Sequence, residues 1–243
     1  MKRGNRAARA ITRFSHKLGF EVRRWPTPDP YYERLTQILR ASSVSAVIDV
    51  GANEGQFARQ LRGAGYGGRI ISIEPGAAAY EILSQAAADD PNWDIPEQIA
   101  LGSSEGDTEL IVYNRSDMNS VLPLSAVGQS SFPRLAETGR QTVPMHRLDT
   151  IFDRLIGDGE AAVKIDTQGS EREILSGAAG VLNRIPVLQI ELGMVQLYDG
   201  AAAFEEILSQ LQDAGFRMAM TSPVSFDKTT ARPIEVDALF LRQ

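Results

Sequence analysis

Asp49, Gly51, Asn53 and Gly55 occupy alternate positions in the stretch Val47-Ile48-Asp49-Val50-Gly51-Ala52-Asn53-Glu54-Gly55-Gln56-Phe57. An apolar, β-branched run enters this stretch and a helix-forming run leaves it. A buried strand feeding a glycine-rich turn and a helix is a device for holding a nucleotide. Glycine lets backbone approach a ligand, and the helix start offers free N–H groups. Asn is the next best residue to Gly for a left-handed backbone, so the turn tolerates Asn53. About 25 residues on, Ile70-Ile71-Ser72-Ile73-Glu74-Pro75 reads as a second strand ending in an acid, a spacing that suits a carboxylate holding two ribose hydroxyls. A third acid, Asp166, ends the run Ala161-Ala162-Val163-Lys164-Ile165. Strand alternation puts Lys164 on its face, where the lysine could orient or ionise the carboxylate.

The elements that must position these groups alternate strand and helix. Tyr31 to Arg40 reads as a helix, with Leu35, Ile38 and Leu39 on one side. Strands are expected at 46–50, 69–74, 93–102, 161–166 and 187–192, with helices at 55–63, 77–88 and after Ser170. The string Ser170-Glu171-Arg172-Glu173 has the form of a capping box. Thr108–Tyr113 and 142–148 read as added strands. A helix marked by Phe204, Leu208 and Leu211 closes at Gly215, and strands at 217–220 and 236–241 follow without a helix between them. The pattern predicts a doubly wound α/β sheet ending in an antiparallel pair. Residues 114–140, polar and with Ser, Gly and Pro, form a long loop expected to be a substrate lid or insertion.

The 243 residues carry a net charge of −6 and no cysteine, which excludes disulfides and thiolate metal sites. The charge is unevenly spread. Residues 1–24 hold eight basic residues against Glu21, a charge of +7, so the remainder carries −13. Ile11, Phe14 and Leu18 fall at helical spacing in that leader, and Trp25-Pro26-Thr27-Pro28-Asp29-Pro30 links it stiffly to the domain at 31–243. The leader reads either as a solvated segment packed on the domain or as a peripheral contact to anionic lipid or an anionic substrate carrier. The acidic body argues against a nucleic-acid partner. Neither a membrane-spanning run nor a secretory signal is evident, and a cytoplasmic location is expected.

The motifs narrow the class further. In place of Gly-x-Gly-x-x-Gly the chain has an acid at the strand tip, which resembles S-adenosylmethionine (SAM) methyltransferases more than NAD enzymes. VIDVGANEGQF at 47–57, Ile73-Glu74-Pro75, Ala100-Leu101-Gly102, Arg147-Leu148-Asp149, VKIDTQGSEREIL at 163–175 and Asp237-Ala238-Leu239-Phe240 together resemble the FkbM family of SAM-dependent O-methyltransferases over residues 44–241. The resemblance implies a seven-stranded class I methyltransferase, Rossmann-like sheet. It implies that Asp49, Gly51, Asn53 and Gly55 form the turn under the methionine part of SAM, that Glu74 holds the ribose, and that Ala100 and Leu101 line the adenine pocket. It also implies an acceptor that is a sugar hydroxyl on a glycan, glycolipid or glycosylated natural product.

Such a hydroxyl is a poor nucleophile at neutral pH, so a base or a metal is expected. Asp166, beside Lys164, is the first candidate for base or substrate anchor. His146 is an alternative base. Magnesium held by Asp166 with Glu191 or with Asp149 is a further alternative, although no metal site is marked locally. Gln168 and Gly169 shape the turn after Asp166. Tyr113, Met118, Asn119 and Ser120 are candidate acceptor contacts from the lid. A noncatalytic SAM-binding or partner-docking module is the reading from a different class. The sequence leaves the oligomeric state open.

Overall fold

The computed structural model describes Ser15, Lys17–Gly19 and residues 29–243. His16, Ile11, Phe14 and the linker at 25–28 lie outside the described residues. The first helix, α1 (Pro30–Ala41), starts where the sequence dictates. Asp29 Oδ1 accepts from the Tyr31 amide at 2.8 Å, and Pro30 takes the first helical position, where no N–H is needed.

Seven strands form the main sheet: β1 (Ala46–Val50), β2 (Arg69–Ile73), β3 (Trp93–Asp94), β7 (Ala161–Ile165), β8 (Val187–Gly193), β9 (Phe216–Phe226) and β10 (Pro233–Arg242). Their order is β3-β2-β1-β7-β8-β10-β9. The first five are parallel, and β10 runs antiparallel between β8 and β9. β1 and β7 are buried at every position, as strands covered on both faces must be. One face packs on α1, on α2 (Gln56–Gly63) through Phe57 and Leu61, and on α3 (Ala77–Ala87) through Leu83. The other packs on α5 (Leu148–Ile156), α6 (Glu171–Gly177) and α7 (Phe204–Asp213), around Phe152, Phe216 and Phe240. The expected doubly wound architecture and its antiparallel end are therefore present. The direction of winding reverses between β1 and β7, and in such sheets ligands bind in the crevice beyond the strand ends at that point.

Three expectations need correction. Residues 93–102 are not one strand. Trp93–Asp94 pairs with β2, while β4 (Ala100–Leu101) pairs with β6 (Glu137–His146), which also pairs with β5 (Gly106–Tyr113) in a separate three-stranded sheet. Pro96 explains the break, because it has no N–H to give a ladder. The strand expected at 142–148 starts five residues earlier, at Glu137.

The third concerns Ser170. It makes no side-chain cap bond, and its Oγ is buried without a partner. The turn is organised by Glu171, whose Oε1 accepts from the amides of Thr167 at 3.2 Å and Gly169 at 3.0 Å.

Residues 114–140 are largely ordered by packing. They contain a 3₁₀ turn, Ser116–Met118, and α4 (Ala126–Ser131), capped by Ser125 Oγ on the Gly128 amide. Ser125 N and Oγ donate to Leu197 O and Gln196 O. Met118, Leu124, Leu197 and Tyr198 form a small apolar core of their own.

The β1–α2 turn is held from below. Gly51, Asn53 and Gly55 all have positive φ (72°, 46° and 86°). A Cβ on Gly51 would stand 1.8 Å from the Asp166 carbonyl oxygen. Gly51→Ala therefore combines a disfavoured backbone with an overlap against backbone. It should destabilise the protein by about 2–4 kcal/mol in urea unfolding. A loss below about 1 kcal/mol would show that the two turns do not meet as described.

Candidate active site

The parallel register lines up Ser72, Asp49, Lys164 and Gln189 across four strands, facing α1 and α2. All four are buried. Trp93 Nε1 donates to Ser72 Oγ at 2.9 Å, and Ser72 Oγ donates to Asp49 Oδ2 at 3.1 Å. Lys164 Nζ sits 3.2 Å from Asp49 Oδ1 and 3.2 Å from Asp166 Oδ2, and donates to Gly51 O at 3.0 Å. It lies 5.7 Å from the Phe57 ring centroid. The expectation that Lys164 and Asp166 share a face is thus met, with Asp49 as a third member.

Burial pulls the Lys164 pKa down, but Asp166 and Asp49 outweigh it and hold the ammonium above its ordinary range. Burial raises the Asp49 carboxyl despite the attraction of Lys164 and the Ser72 hydrogen bond.

A cavity of about 460 Å³ lies over this row, within the range of small-molecule sites. Gly51, Asn53, Glu74, Ala100, Leu101, Lys164 and Asp166 line it. Asp49 and Gly55 do not. Asp49 is fully buried behind the wall and reaches the turn through Lys164, while Gly55 packs against Trp93. Glu74 caps the turn directly. Its Oε2 accepts from Asn53 N at 2.7 Å and its Oε1 from Gly76 N at 2.8 Å. Burial pushes this carboxyl up to about 7, against the pull of those two amides. Asn53 Oδ1 is buried without a partner.

The far side of the cavity is acidic. Glu191 and Asp237 are register partners on β8 and β10, and Glu235 lies on the same face. Burial raises all three, with Asp166 the first or next charge to add, and Asp237 reaches about 6. Gln168, at φ 59°, bridges the acids: Nε2 donates to Asp166 Oδ1 at 3.2 Å and Glu191 Oε1 at 2.9 Å. The Tyr198 hydroxyl donates to Gln168 Oε1 at 2.8 Å, which fixes the amide's direction. Ser120 Oγ donates to Gln168 O at 2.7 Å, tying the 114–140 segment to the same turn.

Several sequence candidates fall elsewhere. His146 is outside the cavity, with Nδ1 2.6 Å from Glu105 Oε2. Asp149 pairs with Arg147 at 2.5 Å on the opposite face of the sheet, so it cannot join Asp166 around a metal. Of the expected acceptor contacts, Met118, Asn119 and Ser120 line the cavity, while Tyr113 is buried in the small apolar core. Glu235, Asp237, Gln189 and Tyr198 were missed by sequence reasoning. The alternation of 189 with 191 and of 235 with 237 held the signal, but only if both strands were read as facing the cavity. Among the described residues, no group of three or more His, Cys, Asp or Glu is arranged to hold a metal ion.

A doubly wound sheet of this order, ending in an antiparallel strand pair, with an acid closing β2 beside the β1 turn, defines a class I methyltransferase fold. The model of the methyltransferase FkbM domain matches residues 49–218, most of the chain, and the protein belongs to that family of methyltransferases. No curated protein matches the chain by sequence.

Among solved structures, the methyltransferase domain of bacterial CtHen1 is 8% identical, covering 87% of this chain and 96% of that one (TM-score 0.45). Precorrin-6y C5,15-methyltransferase from Geobacter metallireducens is 12% identical over 92% and 94% (0.43). A SAM-dependent methyltransferase from Aquifex aeolicus is 14% identical over 89% and 95% (0.40).

Removing the lysine tests the buried triad. Lys164→Met leaves two carboxylates without their cation and should cost about 3–5 kcal/mol of stability at pH 8. The Asp49 pKa is raised in the fold and rises further without Lys164. The destabilisation is therefore present above the folded pKa and is relieved as pH falls. The deficit should shrink toward pH 5; an equal deficit at both pH values would mean that the row carries no net charge penalty.

Proposed function

We propose that the protein is a SAM-dependent O-methyltransferase acting on a sugar hydroxyl of a glycan, glycolipid or glycosylated natural product. The observation that carries the cofactor assignment is the pairing of Glu74 with the β1–α2 turn on one cavity wall. Each Glu74 oxygen has a main-chain N–H and keeps acceptor capacity for a hydroxyl. The orphaned Asn53 Oδ1 supplies a further acceptor beside it. Ala100 and Leu101 give the flat apolar wall that an adenine needs. The bound cofactor would supply an electrophilic methyl group. The sugar class rests on membership of the family.

The chain's own residues divide the remaining work. Lys164 is committed to three oxygens, so it positions and does not exchange protons. Asp166, held by that ammonium, anchors an acceptor hydroxyl. Glu191 has one oxygen on Gln168 and a carboxyl raised by burial, which suits it to accept the proton of an acceptor hydroxyl. Met118 and Asn119 line the cavity from the 114–140 segment, where they can contact an acceptor. The basic leader, joined at α1 whose Tyr32 lines the cavity, is suited to bring an anionic carrier to it. We propose a cytoplasmic location for the reaction.

Calorimetry with SAM tests the cofactor. Glu74→Ala should weaken binding more than tenfold, given about 1.5–3 kcal/mol for hydrogen bonds to a charged group. Ribose hydroxyls donate to the ionised carboxylate, so binding should strengthen from pH 6 to pH 8 across a pKa of about 7, and Glu74→Gln should flatten that dependence. Unchanged affinity in both variants contradicts the ribose role.

A radiolabelled methyl-transfer screen over sugars tests the reaction. Asp166→Asn and Glu191→Gln should keep SAM binding and lose transfer by about 10²–10⁴-fold. SAM binding with no transfer to any acceptor would leave a binding module.

A further inference from the structure

The β9–β10 hairpin contributes Val224, Ser225, Glu235 and Asp237 to the cavity wall and continues beyond them to a turn at 227–232. Of eight exposed large apolar residues among those described, four gather at this end of the sheet: Met194, Val195, Val224 and Phe226, the last 52% exposed. Met194 N donates to Ile234 O at 2.7 Å, which joins the end of β8 to the start of β10. The ladder slips between Pro233 and Glu235, opposite Phe226 and Ser225, and again before Val236, opposite Pro223. Val224 has no ladder partner in that irregular stretch and lines the cavity. Bulges beside binding sites commonly re-aim side chains in this way.

The turn beyond Phe226 carries Lys228 and Arg232. Both are exposed, and neither has an ion-pair partner among the described residues. The acid between the strands, Asp227, is occupied by the turn: its Oδ1 accepts from Thr229 N, Thr230 N and Thr230 Oγ1. An exposed apolar tip flanked by unpaired cations is complementary to an anionic lipid surface, where rings and aliphatic chains enter the interface and cations meet headgroups.

We propose that the β9–β10 tip docks on an anionic membrane and turns the cavity mouth toward it, so that the acceptor is presented from the lipid surface. The acceptor part of this rests on the methyltransferase reading above. The docking part does not. The +7 leader supplies the second attachment that stable peripheral binding requires.

The test is sedimentation of the full chain with vesicles, either phosphatidylcholine alone or an equal mixture with phosphatidylglycerol. The wild type should partition to the mixed vesicles only, and added salt should weaken it. Lys228→Ser with Arg232→Ser should lower partitioning about 25-fold, from about fivefold per cation. Met194→Ser with Phe226→Ser should lower it at least tenfold, with SAM affinity and unfolding midpoint unchanged.

Partitioning unchanged in both double variants, equal binding to neutral vesicles, or no binding overturns the proposal. So does a dimer that the apolar variants split, which would assign the patch to a second copy. SAM calorimetry on the same samples separates this outcome from failure of the cofactor assignment.

Discussion

A single ammonium holds the centre of this molecule together. Lys164 stands in the middle of the sheet, 7% exposed at its side chain, and an isolated charge there would be strongly disfavoured. It is tolerated because Asp49, Asp166 and the Gly51 carbonyl surround it. These three groups come from β1, from the turn after β1 and from the turn after β7, the two strands between which the winding reverses. Satisfying one buried charge thus fixes both turns relative to each other. Gly51 must then be glycine, because its α-carbon lies against the Asp166 carbonyl. A buried ion pair is weak evidence for stability. Its better-supported role here is geometric, since it joins the turn after β1 to the acid after β7.

From that junction the cavity acquires two unlike halves. On one side Glu74 and the Gly51–Asn53 turn present hydrogen-bond acceptors above an apolar wall. On the other, Gln168 separates Asp166 from Glu191 with one amide donor directed at each. The amide cannot turn over, because Tyr198 donates to its carbonyl oxygen. Tyr198 also lies in the small core that orders 114–132, and Ser120 binds the Gln168 carbonyl. The segment that lines this side of the cavity and the acids within it therefore share one set of contacts. Acids with proton affinities raised by burial are frequent at catalytic sites.

Much of this was legible in the sequence, for local reasons. Strand alternation alone placed Lys164 beside Asp166, and the preference of Asn for left-handed backbone accounts for Asn53 at φ 46°. Runs that are apolar except for Asp49 and Lys164 marked β1 and β7 as buried strands. Non-local features were not legible. Pro96 splits the third strand, but nothing near Ala100 says that its partner lies at Met145. The 114–140 segment lacks periodicity because its order comes from docking on Leu197 and Tyr198, about 70 residues away. Ser170 has the sequence form of a cap, yet Glu171 satisfies the turn amides instead. His146 and Asp149 have suitable chemistry, but β6 and α5 carry them away from the cavity.

The charge state of Lys164 is the quantity to measure. Proton-detected NMR of ¹⁵N-lysine side chains in the full chain should show one slowly exchanging Nζ ammonium. Its signal should persist at alkaline pH where exposed lysines are lost to exchange, and should be absent from Lys164→Met. A neutral amine shift for Lys164, or an ammonium that exchanges like a surface lysine, would contradict the buried triad and the site geometry derived from it.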